Sequence, residues 1–256
     1  MDAREVRREV GARGVEVRSL SVSYGENKVF SDFDITFPAG EISVVMGGSG
    51  VGKSTLLGAI AGLVPYGGEV IRPSGGISYI FQKDRLIPSI SVRKNLDLVL
   101  RKVFRDKAER SERIAEMLKR LEIGDKAEKY PAELSGGESL RVAMARAFLF
   151  PSEVLLMDEP FRALDIGLKL RLFEELFGLL EESRRTVVYV THDPEECLRA
   201  ADGWTVLAGA PARIAGEGRI SLPKEARVAG ADRLDEERAA LTALLSDKIP
   251  PAGKFA

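Results

Sequence analysis

The pattern Gly47-x-x-x-x-Gly52-Lys53-Ser54 constrains this chain more than any other feature. It follows a short apolar run rich in β-branched residues, 42–46, that reads as a buried strand. It precedes residues 54–63, which read as a helix ended near Gly62. A glycine turn between a buried strand and a helix lets backbone N–H groups point inward, and the helix N-terminus adds partial positive charge. That arrangement is a cradle for phosphate, and its candidate residues are Gly47, Gly48, Ser49, Gly50, Val51, Gly52, Lys53, Ser54 and Thr55.

A loop of this kind needs an acid from a neighbouring strand. Val154-Leu155-Leu156-Met157-Asp158-Glu159 supplies one, with two carboxylates emerging at the end of an apolar run. Together the two motifs predict a MgATP site. Lys53 is expected to reach the β- and γ-phosphates, Ser54 to ligate Mg²⁺ through its hydroxyl, and Asp158 to support the metal shell. Glu159, one residue on, is placed to polarise the attacking water.

Around these motifs strands alternate with helices. Residues 15–24 alternate apolar and polar side chains (Val15, Val17, Leu20, Val22), and a turn at 25–27 leads to a second strand over 29–37. Further buried strands are expected at 77–81, 154–157 and 186–190. Helices are expected at 106–122, with Ile114, Leu118 and Leu121 on one face, and at 136–148 and 167–182. This order argues for an α/β fold with a largely parallel core sheet. After about Leu222 the chain changes character, with Pro223, Gly230, Pro250 and Pro251 flanking one short helical pattern at 234–245.

Composition excludes little but points the same way. The 256 residues suffice for one large α/β domain or two small ones. The 38 basic and 39 acidic side chains nearly cancel, giving no overall attraction to nucleic acid. A single cysteine, Cys197, rules out an intramolecular disulfide and argues against a cysteine-based metal site. Residues 1–14 are charged and lack the apolar run of a secretory signal. No apolar stretch approaches the roughly 20 residues that span a bilayer. Any membrane-spanning part is therefore expected in another chain.

Further motifs make residues 15–220 resemble the ABC ATPase family. Leu134-Ser135-Gly136-Gly137-Glu138 is similar to its signature motif, and Gln82 to its Q-loop glutamine. Ala163-Leu164-Asp165 resembles its D-loop, Thr191-His192-Asp193 carries its switch histidine, and Tyr24 stands where the family stacks an aromatic ring on adenine. The resemblance implies a P-loop NTPase core with an N-terminal antiparallel β subdomain and an inserted α-helical subdomain at about 87–150. It divides the chain into an N-terminal extension (1–14), the ATPase domain (15–222) and a C-terminal tail (223–256). It also implies a head-to-tail dimer with a second copy, in which Ser135, Gly136, Gly137 and Glu138 of one copy cap the ATP on the other's loop. In that scheme Gln82 contacts Mg²⁺ or water, His192 positions the γ-phosphate, and Asp165 works across the dimer. Two residues depart from the usual pattern. Glu138 replaces the more common glutamine, and Arg162, which either pairs across the dimer or is solvated, replaces a common serine. Cys197, in an expected helix, reads as a packing residue.

The gap between Lys53 and Ser135 lacks the coiled coils of chromosome-maintenance members, and one cassette is present. A stand-alone transporter subunit fits best. Phe81 to Pro88 and Ser91 to Leu96, together with the short tail, are similar to the nitrate/sulfonate/taurine importer subfamily. The implied partners are integral membrane permease subunits and, indirectly, a solute-binding protein, at the cytoplasmic face of the membrane; no nucleic acid is expected. The alternatives are a lipoprotein-releasing or macrolide-type exporter ATPase, whose members often carry Ser-Gly-Gly-Glu, and a non-transport regulatory module. A monomeric P-loop kinase would leave the signature motif and His192 without a role.

Overall fold

The computed structural model describes residues 14–162, 164–229 and 234–246. The N-terminal extension up to residue 13, Ala163 of the expected D-loop and the end of the tail lie outside the described residues. The chain forms two compact units, Met1–Ser74 with Thr186–Ala256, and Gly75–Arg185.

In the first unit, β1 (Val15–Tyr24) pairs antiparallel with β2 (Asn27–Phe37) and with β4 (Gly67–Ile71). Tyr24 faces Asn27, so the turn is one residue tighter than the sequence suggested. The apolar positions of β1 switch from odd (Val15, Val17) to even (Leu20, Val22), which an unbroken strand cannot bury on one face. A bulge at Ser19, φ 49°, resets the alternation, and β2 makes the matching shift at Asp32, φ 52°. Both displaced amides are satisfied: Ser19 N donates to Asp34 Oδ1 (2.8 Å) and Asp32 N to Ser21 Oγ (3.2 Å). Strand β4 was not anticipated. It opens on two glycines, and at Gly68 (φ 90°) a Cβ would stand 2.3 Å from the Ser19 carbonyl oxygen. Residues chosen for that close approach carry no strand-like pattern.

The same unit holds β3 (Ile42–Gly47), flanked in parallel by β7 (Thr186–Val190) and β8 (Gly203–Ala208), with β9 (Arg213–Arg219) antiparallel on β8. Every residue of β3 and β7 is buried, as expected of strands covered on both faces. Helices α1 (Lys53–Ala61) and α6 (Pro194–Ala200) pack on β3. The tail forms α7 (Lys224–Ala229) and α8 (Asp235–Ser246), two helices where the sequence suggested one, and α8 buries Leu241.

In the second unit, β5 (Ile77–Ile80) runs parallel to β6 (Val154–Asp158). The helices are α2 (Val92–Leu100), α3 (Lys107–Arg120), α4 (Gly136–Leu149) and α5 (Ile166–Ser183). Leu96, Leu100, Ile114, Leu118, Leu140 and Met144 are all buried, and α2 and α3 each pack on α4. Arg185, at the end of this unit, donates to the Ala147 (2.8 Å) and Phe148 (3.0 Å) carbonyls and satisfies the last turn of α4. The α/β class, the antiparallel β sheet and the helical segment match the sequence reading.

Candidate functional site

In the first unit the glycine loop leaves the buried end of β3 and enters α1. Gly47 has φ 145°, and a Cβ there would lie 2.4 Å from the Leu207 carbonyl oxygen. Gly52, the N-cap of α1, has φ 111°, and a Cβ would lie 2.6 Å from Val29 Cγ1. Both positions demand glycine by conformation and by space. Gly52 offers no side-chain cap and the first turn of α1 contains no acid, so the helix brings no negative charge to its positive end. Gly48, Ser49, Gly50 and Ser54 are exposed, with Val51, Gly52 and Thr55 partly so. The Lys53 side chain is folded over the loop, its Nζ donating to the Gly47 (2.8 Å) and Gly48 (3.0 Å) carbonyls. The ammonium, the glycine backbone and the helix terminus thus converge on one exposed turn, which is the chemistry of a phosphate cradle.

His192 follows β7, the strand beside β3. Val45 pairs with Val190, and Thr191 N donates to Val45 O (3.3 Å), so the histidine and the glycine loop leave the same end of adjacent strands. Tyr24, at the end of β1, is 53% exposed, an aromatic ring presented to solvent.

In the second unit, Ile80 pairs with Met157, so Gln82 and the Asp158–Glu159 pair also emerge from one strand end. Asp158 is buried. Tyr79 beside it has its phenol pushed well up, first by burial and then by the Asp158 charge. Glu159 has φ 42°, a left-handed conformation that costs a β-carbon residue about 1–3 kcal/mol and is tolerated where function requires it. Arg162 lies 3.2 Å from its carboxylate, and its side chain stays 52% exposed.

Ser135 is the N-cap of α4. Its hydroxyl accepts from Glu138 N (3.3 Å) while Glu138 Oε2 accepts from Ser135 N (2.8 Å), a complete capping box. Lys126 sits 3.2 Å from Glu138 and 3.0 Å from Asp125, so its charge is shared between the two carboxylates and counters that of the glutamate in part. A cavity of about 630 Å³ opens beside this helix start, lined by Ser135, Gly137, Glu138, Arg141, Leu168 and Arg171 among others. Asp165 caps α5 by accepting from Leu168 N (3.0 Å).

Two contributors escaped the sequence. Arg146, on α4, donates to the Arg85 (2.9 Å) and Asp84 (2.7 Å) carbonyls and ties the segment after Gln82 to the helix that Ser135 begins. Lys126 reaches Glu138 from a separate turn. Neither spacing is periodic, so no sequence pattern could have marked them.

A strand–glycine loop–helix cradle with a lysine, and an apolar strand ending in paired carboxylates, define a P-loop ATPase. The ABC transporter family profile matches residues 30–162, and the chain belongs to that family as an ATP-binding, ATP-hydrolysing subunit. It is 40% identical over 236 residues to the aliphatic sulfonates import ATP-binding protein SsuB 1 of Paracoccus denitrificans (strain Pd 1222), covering 90% of this chain and 93% of the relative. The protein of the same name from Nocardia farcinica (strain IFM 10152) is 39% identical over 221 residues, covering 86% and 87%. Among solved structures, a dimeric ATP-binding cassette in a post-hydrolysis state with ADP and Pi superposes with a TM-score of 0.73 at 29% identity, covering 82% of this chain and 100% of that one.

Proposed function

We propose that this chain powers an importer of a small organic anion of the sulfonate class, bound at the cytoplasmic face of the membrane to permease subunits that a solute-binding protein feeds. The observation that carries this reading is the 40% identity to a sulfonate-import subunit, which extends over 93% of that relative rather than over the ATPase motifs alone. No described helix is long and apolar enough to cross a membrane, so the passage for the solute is assigned to the partner chains.

In this reading Tyr24 stacks on adenine, the 47–55 loop holds the phosphates, and Lys53 exchanges its carbonyl contacts for phosphate oxygens. The Ser54 hydroxyl and the Asp158 carboxylate are hard oxygen donors of the kind Mg²⁺ takes. The bound ion supplies charge neutralisation at the β- and γ-phosphates. Glu159 accepts the proton of the attacking water, Gln82 orients that water, and His192 holds the γ-phosphate. A second copy of the chain closes the site with Ser135, Gly136, Gly137 and Glu138, a helix N-terminus aimed at anionic oxygen, and Asp165 spans the two copies.

The test is co-purification from native membranes, followed by reconstitution of the captured complex into liposomes. The expected result is an integral membrane partner, and ATP hydrolysis stimulated by a binding protein loaded with an alkanesulfonate. Purification without a membrane partner, or stimulation by an unrelated solute alone, would overturn the importer assignment or its solute class respectively.

A further inference from the structure

His192 stands between two residues that a single hydroxyl ties down. Thr191, just before it, is 2% exposed. The Thr191 hydroxyl donates to a Glu196 carboxylate oxygen and accepts from the amide of Asp193 (3.1 Å), just after the histidine. The Thr191 amide is bonded to β3, and the Asp193 carboxylate accepts from Glu195 N (2.9 Å) to cap α6. The backbone on both sides of His192 is thus attached to rigid elements, while the imidazole itself is exposed.

The anchor is itself held. Glu196 is 6% exposed, and the Tyr189 hydroxyl donates to the same carboxylate oxygen as Thr191. A buried carboxylate tolerates its position only while donors surround it, so it fixes the hydroxyls as firmly as they fix it. Helix α6 is only seven residues long and depends on outside support. The tail provides it at both ends. Arg227 of α7 donates to the Ala201 carbonyl (2.6 Å) past the C-terminal end of α6, and Arg238 of α8 pairs with Glu195 near its start.

We infer that Thr191 is a positioning residue for His192: its hydroxyl, locked between the Glu196 carboxylate and the Asp193 amide, sets where the imidazole meets the γ-phosphate. The inference rests on the reading of His192 given above. Thr191 itself touches no nucleotide, so its effect belongs in the hydrolytic step and not in ATP affinity.

The experiment uses the full-length chain and compares Thr191→Val, Thr191→Ser and His192→Ala in steady-state ATP hydrolysis, with the melting temperature as a record of folding. Thr191→Val keeps the volume and removes the hydroxyl. It is expected to lower kcat about tenfold with KM for ATP within about twofold, because small displacements of a catalytic group cost rate. Thr191→Ser restores the hydroxyl and is expected to keep kcat within about twofold of the parent. Equal losses in the Val and Ser variants would mean packing, not the hydroxyl, and would overturn the inference. A parental kcat in Thr191→Val beside a damaged His192→Ala would also overturn it while leaving the histidine's role intact. A parental kcat in His192→Ala would instead sink the underlying reading. Should Thr191→Val fail to fold, Thr191→Ala removes the hydroxyl without adding an apolar branch and is read by the same criteria.

Discussion

Lys126 places its ammonium 3.2 Å from the Glu138 carboxylate, at the start of the helix whose N-terminus is proposed to face a nucleotide on a second copy. The glutamate therefore has a counter-charge beside it, shared with Asp125 (3.0 Å). Removing the lysine while keeping the acid, in Lys126→Met, leaves a negative charge beside the proposed phosphate position. ATP-dependent self-association is expected to weaken about two- to fivefold at low salt. The double variant with Glu138→Gln should recover it. Sedimentation velocity with and without ATP measures both.

Glu138 also gives the helix start a pH dependence. Its carboxyl is held below its ordinary value of 4.5 by the backbone amide of Ser135 first, then by the Ser135 side chain and Lys126. A group whose folded-state value is depressed contributes stability that is fully present above the unfolded value and is lost as pH falls through the folded one. The capping box should therefore be intact at neutral pH and open only below about 4.5. Hydrogen exchange at the amides of Ser135 and Glu138, followed from pH 6 down to pH 3 and corrected for intrinsic rates, is expected to show protection lost only in that acid range.

Glu159→Gln removes the proposed base but keeps its shape. Hydrolysis is expected to fall about 10²- to 10⁴-fold, the usual yield of general base catalysis, with ATP binding retained. The variant should then accumulate as an ATP-bound dimer on size-exclusion chromatography. Turnover near that of the parent would remove Glu159 from the reaction.

Arg146→Leu tests the tie between α4 and the segment after Gln82. Two charge-assisted bonds, to Asp84 and Arg85, would be lost at a partly buried site. The expected destabilisation is about 2 kcal/mol, seen as a melting temperature lower by about 4–8 °C. Arg146→Lys can satisfy only one of the two carbonyls well and should fall between.

Cys197 is fully buried on α6, and burial pushes its thiol up to about 12. At neutral pH a disulfide-exchange reagent should react with the unfolded chain within minutes and with the native chain far more slowly, because the thiolate is the attacking form. Rapid native labelling would show that α6 opens, and with it the support of the histidine turn.

Much of this was legible along the chain because it depends on neighbours in sequence. The glycine loop, the paired carboxylates at the end of β6 and the cap of α4 are each local: a turn, a strand end and a helix start written in consecutive residues. The positions of β1 were legible too, but its change of parity between Val17 and Leu20 made sense only once the bulge at Ser19 was seen. Strands β4, β8 and β9 and helices α2 and α7 were missed; in β4, β9 and α7 glycines and charges are frequent, and their partners, not their own residues, make them regular.

The sequence by itself determined the chemistry available: an ammonium, a hydroxyl, two carboxylates and one histidine, each at the end of an element that local patterning specifies. Only the tertiary structure decided how those groups are held. Lys126 meets Glu138, Arg146 meets the backbone after Gln82, and Thr191 is locked by Glu196 under a tail that clamps α6. The reason is physical. Local structure follows from backbone sterics and side-chain periodicity over a few residues, whereas buried polar groups must find partners wherever the packed chain brings a donor or acceptor within reach.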